Sequence, residues 1–378
     1  MIISQGPRIS EVEVRGDEHV RRALDAGNGV LITPNHSVHG DPMIVYAAAE
    51  KFGSPLYFMG AWQVLGLVNP IRRAFLRMHG CFSVDREGTD RQAMQQALDV
   101  LQNRKEPLVI FPEGEVYHCN ERVTLFREGP TALAVMAARK ADRDVVIVPC
   151  GLRYYYVEDP LPSLLELMDD VEEALFWRPT PEQPMSERLY RVAEGMLALK
   201  ELEFLGEARQ GSVPERIAFL TDGVLKRVEE RYEISVEGKT IPERIKQGRQ
   251  RAISAITEAD EASEEYRRCA DDLDDCYLCA QLYSYPGDYV AEHPSIDRLA
   301  ETLDKFEEDI LKRATATVRA RRRAVVVLGE PITVPKEKKR DAASELTQLI
   351  EERVQSLLDS VQLPERSFEL VPPRSVEG

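Results

Sequence analysis

Gly29-Val30-Leu31-Ile32-Thr33-Pro34-Asn35-His36-Ser37-Val38-His39-Gly40-Asp41-Pro42 reads as a short apolar strand breaking into a loop. The loop carries His36 and, five residues on, Asp41. This pairing suits general-base chemistry, in which an imidazole accepts a proton while a carboxylate fixes its tautomer and stabilises the imidazolium. An unperturbed imidazole titrates near ~6.5 and is mostly neutral at neutral pH. The same residues also read as a helix start ahead of Met43-Ile44-Val45-Tyr46-Ala47-Ala48-Ala49. Asp41 would then be the N-cap and Pro42 the first helical residue. The two roles are compatible, because a cap at a loop end can face a histidine.

Working outward, short β-rich runs recur at Gly29–Ile32, Pro55–Phe58, Cys81–Val84, Leu108–Phe111 and Val145–Val148. Helix-period stretches lie between them, among them Asp90–Gln102 and Gly129–Arg139. This alternation predicts an α/β fold, a mainly parallel sheet flanked by helices. His36, Arg86 and Glu113 each fall just past a strand, at the end where open α/β sheets place their sites. From Pro160 to about Ala320 strand character disappears into charged helical stretches, and it returns at Ala324-Val325-Val326-Val327-Leu328. The expected organisation is a core of residues 1–156 plus 321–362, a large helical insertion at 157–320 and a mobile tail at 363–378.

The chain has 378 residues, 43% hydrophobic and 30% charged, the composition of a globular protein of one or two domains. The six cysteines are scattered, and Met1-Ile2-Ile3-Ser4 does not begin a signal peptide. A reducing, cytoplasmic setting is therefore expected. No stretch of ~18 uninterrupted apolar residues predicts a membrane-spanning helix. A net charge of −16 argues against nucleic acid as a partner.

Gly80-Cys81-Phe82-Ser83-Val84-Asp85-Arg86, Phe111-Pro112-Glu113-Gly114 and Val148-Pro149 follow the His36/Asp41 segment in order. As a set, these four blocks resemble those of the glycerolipid acyltransferase family, which includes the lysophosphatidic acid acyltransferases and carries a His-x4-Asp motif. The resemblance implies transfer of a fatty-acyl group from a thioester to a hydroxyl of a glycerolipid or lysophospholipid-type acceptor. In that reading His36 is the general base and Asp41 orients it. Asn35, Arg86, Glu113 and Gly114 bind substrate. No cofactor is implied, with acyl-CoA or acyl-carrier protein as co-substrate. The protein would work in the cytoplasm, peripherally attached to a membrane. His39 matches a surface or helix-capping role better than the base.

One departure bears on the acceptor. The family's third block usually continues with Thr-Arg-Ser, and that arginine grips a phosphate; here Glu115-Val116-Tyr117 follows. A phosphodiester lysolipid or an uncharged alcohol becomes the better-matched acceptor, with Arg122 or Arg127 as candidate replacements for the missing cation. Lys312, Arg313, Arg319, Arg321, Arg322 and Arg323 form a basic run that reads either as a surface for lipid or donor phosphates or as a solvated helix face. Cys269, Cys276 and Cys279 lack a fourth ligand at zinc-site spacing and read as helix packing. Trp62, Val64, Leu65, Leu67, Val68, Ile71, Phe75 and Leu76 read as an acyl groove, a bilayer contact or core. Two other classes remain: a metal-dependent hydrolase using His36, His39 and Asp41 with Glu113, and a non-catalytic lipid-binding protein.

Overall fold

Val30 and Ile32 face one side of a central sheet and Leu31 the other, and this alternation builds the two cores. The computed structural model describes residues 8–61, 74, 76–84, 90–260, 262–285, 287–337, 339 and 341–363. Its sheet holds eight strands: β1 (Ile9–Arg15), β2 (Gly29–Pro34), β3 (Tyr57–Ala61), β4 (Cys81–Val84), β5 (Leu108–Val109), β6 (Val145–Tyr156), β7 (Arg322–Leu328) and β8 (Ile332–Thr333). They lie in the order β1-β7-β6-β2-β5-β3-β4, with β8 beside β6. Strands β6, β2, β5, β3 and β4 run parallel, while β7 and β8 pair antiparallel to β6. The sheet is thus mixed and mostly parallel.

Helices α1 (Asp17–Asp25) and α2 (Asp41–Phe52) cover one face. Val20, Ala23, Ile44, Val45, Ala48 and Phe52 pack there on Val30, Ile32, Val148 and Val326. The other face is covered by α3 (Arg91–Asn103), α4 (Gly129–Ala138) and α12 (Ala342–Asp359). Ala97, Leu101, Leu133, Ala134, Ile350 and Val354 meet Leu31, Leu108 and Ile147 on that side. Burying each such aliphatic side chain contributes about 1.5–3 kcal/mol, so this two-sided core is the main source of the fold's stability.

The alternation Glu11-Val12-Glu13-Val14 in β1 passed unread in the sequence; it forms an edge strand parallel to β7. Its outward carboxylates discourage further strand pairing. β6 runs twelve residues, all buried, because its first half pairs with β2 and its second half with β7.

The described residues divide into two compact units, one drawn from 8–167 and 296–363 and one from 168–295. In the second, α6 (Met185–Leu205), α7 (Val213–Arg231), α8 (Ile241–Glu258) and α9 (Glu264–Tyr283) follow the end of α5 (Leu161–Ala174), and the short α10 (Tyr289–Glu292) closes the series. α11 (Ile296–Asp309) returns the chain to the first unit. The chain breaks between α8 and α9, where Ser263 accepts from the Tyr266 amide as a new N-cap. No helix among the described residues is long and apolar enough to cross a membrane.

Candidate active site

β2 ends at Pro34, and the two residues after it divide the work of the loop. Asn35 is fully buried; its Nδ2 donates to the Leu152 carbonyl (3.1 Å) and its Oδ1 accepts from the Leu152 amide (2.7 Å). These two bonds make Asn35, a substrate contact in the sequence expectation, a clamp between β2 and β6. His36 follows with its ring stacked on Phe111, centroids 4.2 Å apart. Its backbone amide donates to Glu113 Oε1 (2.7 Å), and its carbonyl accepts from the Tyr117 amide (3.3 Å).

Asp41 is completely buried, and its carboxylate ties the loop to β6. Oδ2 accepts from His36 Nδ1 (2.9 Å) and from the Val38 amide (3.0 Å), while Oδ1 accepts from the Tyr154 hydroxyl (2.5 Å). A carboxylate only accepts, so the proton on this edge of the ring resides on Nδ1. In the neutral ring Nε2 then carries the lone pair. The His36 side chain keeps 16% of its surface exposed against none for Asp41, so solvent reaches the imidazole and not the carboxylate.

The expected N-cap is corrected: Gly40 occupies that position without a side-chain bond, and Asp41 is the first helical residue. Its carboxylate is spent on His36, Val38 and Tyr154 rather than on the first-turn amides. At the helix N-terminus its negative charge still gains from the macrodipole. Burial first, and then the neighbouring Asp41, push the Tyr154 hydroxyl far above its ordinary pKa and keep it a donor.

Glu113 is buried and fastens two loops. Besides the His36 amide it accepts from the Thr124 amide (3.2 Å) and from the Thr124 hydroxyl. Burial pushes its carboxyl up to about 8, against the pull of the bonds donated by Thr124 and His36. Gly114 adopts φ +80°, a region that only glycine enters freely, and a Cβ there would stand 2.7 Å from Arg127 Nε. Arg127 in turn meets Glu115 at 3.4 Å. Glu115, one residue before the place where the resemblance expects a phosphate-gripping arginine, thus pairs with one of the two candidate replacement cations.

Arg86, the acceptor-binding candidate, lies outside the described residues, as do Trp62, Val64, Leu65, Leu67, Val68, Ile71 and Phe75 of the apolar stretch that ends at Leu76. His39 is half exposed and bonds Glu308, not the His36/Asp41 pair. Among the described residues the one grouping compact enough for a metal is His39, His118 and Glu308, which differs from the His36, His39 and Asp41 set weighed in the sequence.

The basic run is neither a helix face nor a bare positive surface. Arg313 and Arg319 both pair with Glu307, Arg321 with Glu158 and Arg323 with Glu11. Arg322 is buried, its guanidinium 5.5 Å from the Tyr154 ring centroid. Cys269, Cys276 and Cys279 are buried within the helical unit, and Cys279 Sγ donates to the Thr221 carbonyl at 3.8 Å.

Sequence reading missed Tyr154, Thr124, His118 and Glu308. Only Tyr154 carried a signal, since Arg153-Tyr154-Tyr155-Tyr156 prolongs the strand pattern of β6; nothing local pointed it at Asp41.

Residues 11–153 match the family model described as Acyltransferase. The match begins in β1 and ends within β6, taking in His36, Asp41 and Glu113 but neither Tyr154 nor the helical unit. It supports acyl transfer as the general activity. No curated protein matches the chain.

Proposed function

We propose that the protein transfers a fatty-acyl group from a thioester, acyl-CoA or acyl-carrier protein, to the hydroxyl of a lysolipid or related alcohol. The observation that carries this reading is the His36 Nδ1 to Asp41 Oδ2 bond, made to a fully buried carboxylate with its other oxygen held by Tyr154. As the acceptor oxygen attacks the thioester carbonyl, His36 Nε2 takes its proton and Asp41 stabilises the resulting imidazolium. Collapse of the tetrahedral intermediate breaks the carbon–sulfur bond, and the imidazolium returns the proton to the departing thiolate. The products are an ester and a free thiol, with no acyl-enzyme.

Glu113 and Gly114 shape the wall beside the base, Glu113 by tying His36 to Thr124. The Arg127–Glu115 contact supports an acceptor of low charge, a phosphodiester lysolipid or an uncharged alcohol, over a phosphate monoester. Arg86 is proposed to contribute the remaining cation to the acceptor. With such an amphiphilic acceptor the protein would act in the cytoplasm, as a peripheral protein at a membrane surface.

The test is release of free thiol from acyl-CoA and from acyl-carrier protein against a panel of lysolipids and alcohols. Acceptor-dependent thiol release matched by ester formation is expected, with His36→Ala reducing it about 10²–10⁴-fold. A loss under about tenfold in a folded variant, or no acceptor dependence across the panel, overturns the reading.

A further inference from the structure

Two histidines of the first unit, from separate loops, converge on one carboxylate outside the proposed catalytic pair. His39 belongs to the loop between β2 and α2, His118 to the long connection between β5 and α4, and Glu308 to the last turn of α11. His39 Nε2 lies 3.1 Å from Glu308 Oε1, and His118 Nε2 lies 3.2 Å from Oε2; Oε1 also accepts from the Ala316 amide at 2.7 Å. One ligand atom from each of the three residues falls within 4.8 Å of the others. Ligands held ~2.0–2.2 Å from a tetrahedral ion stand roughly 3.3–3.6 Å apart, so small side-chain shifts suffice to seat one.

A second observation comes from buried atoms with no bonding partner. His118 is 4% exposed, yet its Nδ1 has no hydrogen-bond partner; Asp304 is 7% exposed, and its Oδ1 has none either. Asp304 lies one turn before Glu308, on the same face of α11, and its charge acts on His118 with no hydrogen bond between His118 Nδ1 and Asp304 Oδ1. A metal-bound imidazole carries its proton on the nitrogen away from the ion and typically gives it to a carboxylate. Metal on His118 Nε2 would place a donor at Nδ1, the chemistry that a carboxylate oxygen lacking a donor requires.

We propose that His39, His118 and Glu308 bind a single divalent transition-metal ion, Zn²⁺ by donor preference, with Asp304 orienting His118. Two imidazoles and one carboxylate form the mixed nitrogen and oxygen set that suits Zn²⁺ and disfavours Mg²⁺ or Ca²⁺. His39 sits three residues from His36, so the ion would tie the loop bearing the proposed base to α11. The site is a brace for that loop, and it stands independently of the acyl-transfer reading.

Metal-free full-length protein, titrated with Zn²⁺ against a chromophoric zinc indicator at neutral pH, tests the proposal without reference to activity. One ion per chain is expected, with His39→Ala and Glu308→Gln each weakening binding by at least about a hundredfold and Asp304→Asn by about 10–100-fold. Replacing Cys269, Cys276 and Cys279 by serine is expected to leave affinity unchanged. His39 is half exposed, so His39→Ala keeps its fold, as circular dichroism would verify, even where changes at buried His118 do not. Absence of stoichiometric uptake by the unaltered chain, or uptake equal in His39→Ala and Glu308→Gln, overturns the site.

Discussion

Tyr154 supplies one of the three hydrogen bonds that hold the Asp41 carboxylate, and its removal separates positioning from chemistry. Tyr154→Phe leaves Asp41 Oδ1 buried without a donor, at a cost of about 1–3 kcal/mol, readable in a urea titration. The His36 to Asp41 bond survives, so kcat should fall less than in His36→Ala; an equal fall would place Tyr154 in the proton transfer itself. Glu113 behaves in the opposite sense to a paired carboxylate. Its unfolded carboxyl releases a proton near 4.5, and its folded one only near 8. Between these values the native state binds more protons than the unfolded state, so its contribution is full below about pH 4.5, declines through the window and levels off above pH 8. Glu113→Gln has no such proton. The stability difference between native and variant chains should therefore shift against the native chain by a few kcal/mol from pH 4.5 to 8, at 1.36 kcal/mol per pKa unit. A difference constant across that range would mean that the bonds from Thr124 and His36 keep Glu113 ionised throughout.

The charged helical stretches have an order visible only at the level of helix pairs. Arg216 grips Glu201 with two bonds (3.0 and 2.7 Å), and Arg244 grips Glu229 the same way (2.7 and 2.8 Å). Both pairs are buried, and each joins the end of one helix to the start of the next. Glu201 and Glu229 are thus tied across α6–α7 and α7–α8, beside the capping boxes Ser212/Glu215 and Thr240/Glu243. Breaking a buried pair from one side costs about 3–5 kcal/mol, whereas an exposed pair is worth under about 1 kcal/mol. Glu229→Ala is expected near the lower end of the first range, since Asp222 still meets Arg244 at 3.0 Å. Breaking the exposed pair with Lys226→Ala should be nearly silent in the same thermal melt. Similar losses for the two variants would mark the Arg244 pair as solvated. Close packing adds a steric constraint, because a Cβ at Gly248 would stand 2.7 Å from Cys276 Sγ.

For the whole molecule, the decisive element is β7, which the chain supplies only after the helical unit. It lies between β1 and β6, parallel to one and antiparallel to the other. Without it β1 loses its sheet partner and the second half of β6 exposes a row of unpaired amides beside buried Leu152 and Tyr154. A chain ended at residue 320 also loses α12, whose Ile350 and Val354 close the second core. Such a truncation is expected to be insoluble or protease-sensitive although residues 11–153, which match the acyltransferase model, remain intact. A soluble truncated chain with a cooperative melt would show that the matched segment folds without its C-terminal strand.

Local pattern alone made the parallel part of the sheet legible. Apolar runs at Gly29–Ile32, Cys81–Val84 and Val145–Val148 carry strand periodicity in contiguous residues, and the short spacing from His36 to Asp41 lets a single loop join them. The helical character of the segment from Pro160 to about Ala320 was equally local, read from charge and period. What the tertiary structure decided are relations between residues far apart in the chain. Tyr154 reaches Asp41 across 113 positions, Glu308 reaches His39 across 269, and Glu11 meets Arg323 across 312. The basic run illustrates the physical reason. A sequence displays charges but not their partners, and the sign and exposure of a surface follow only once folding has brought each arginine to its carboxylate.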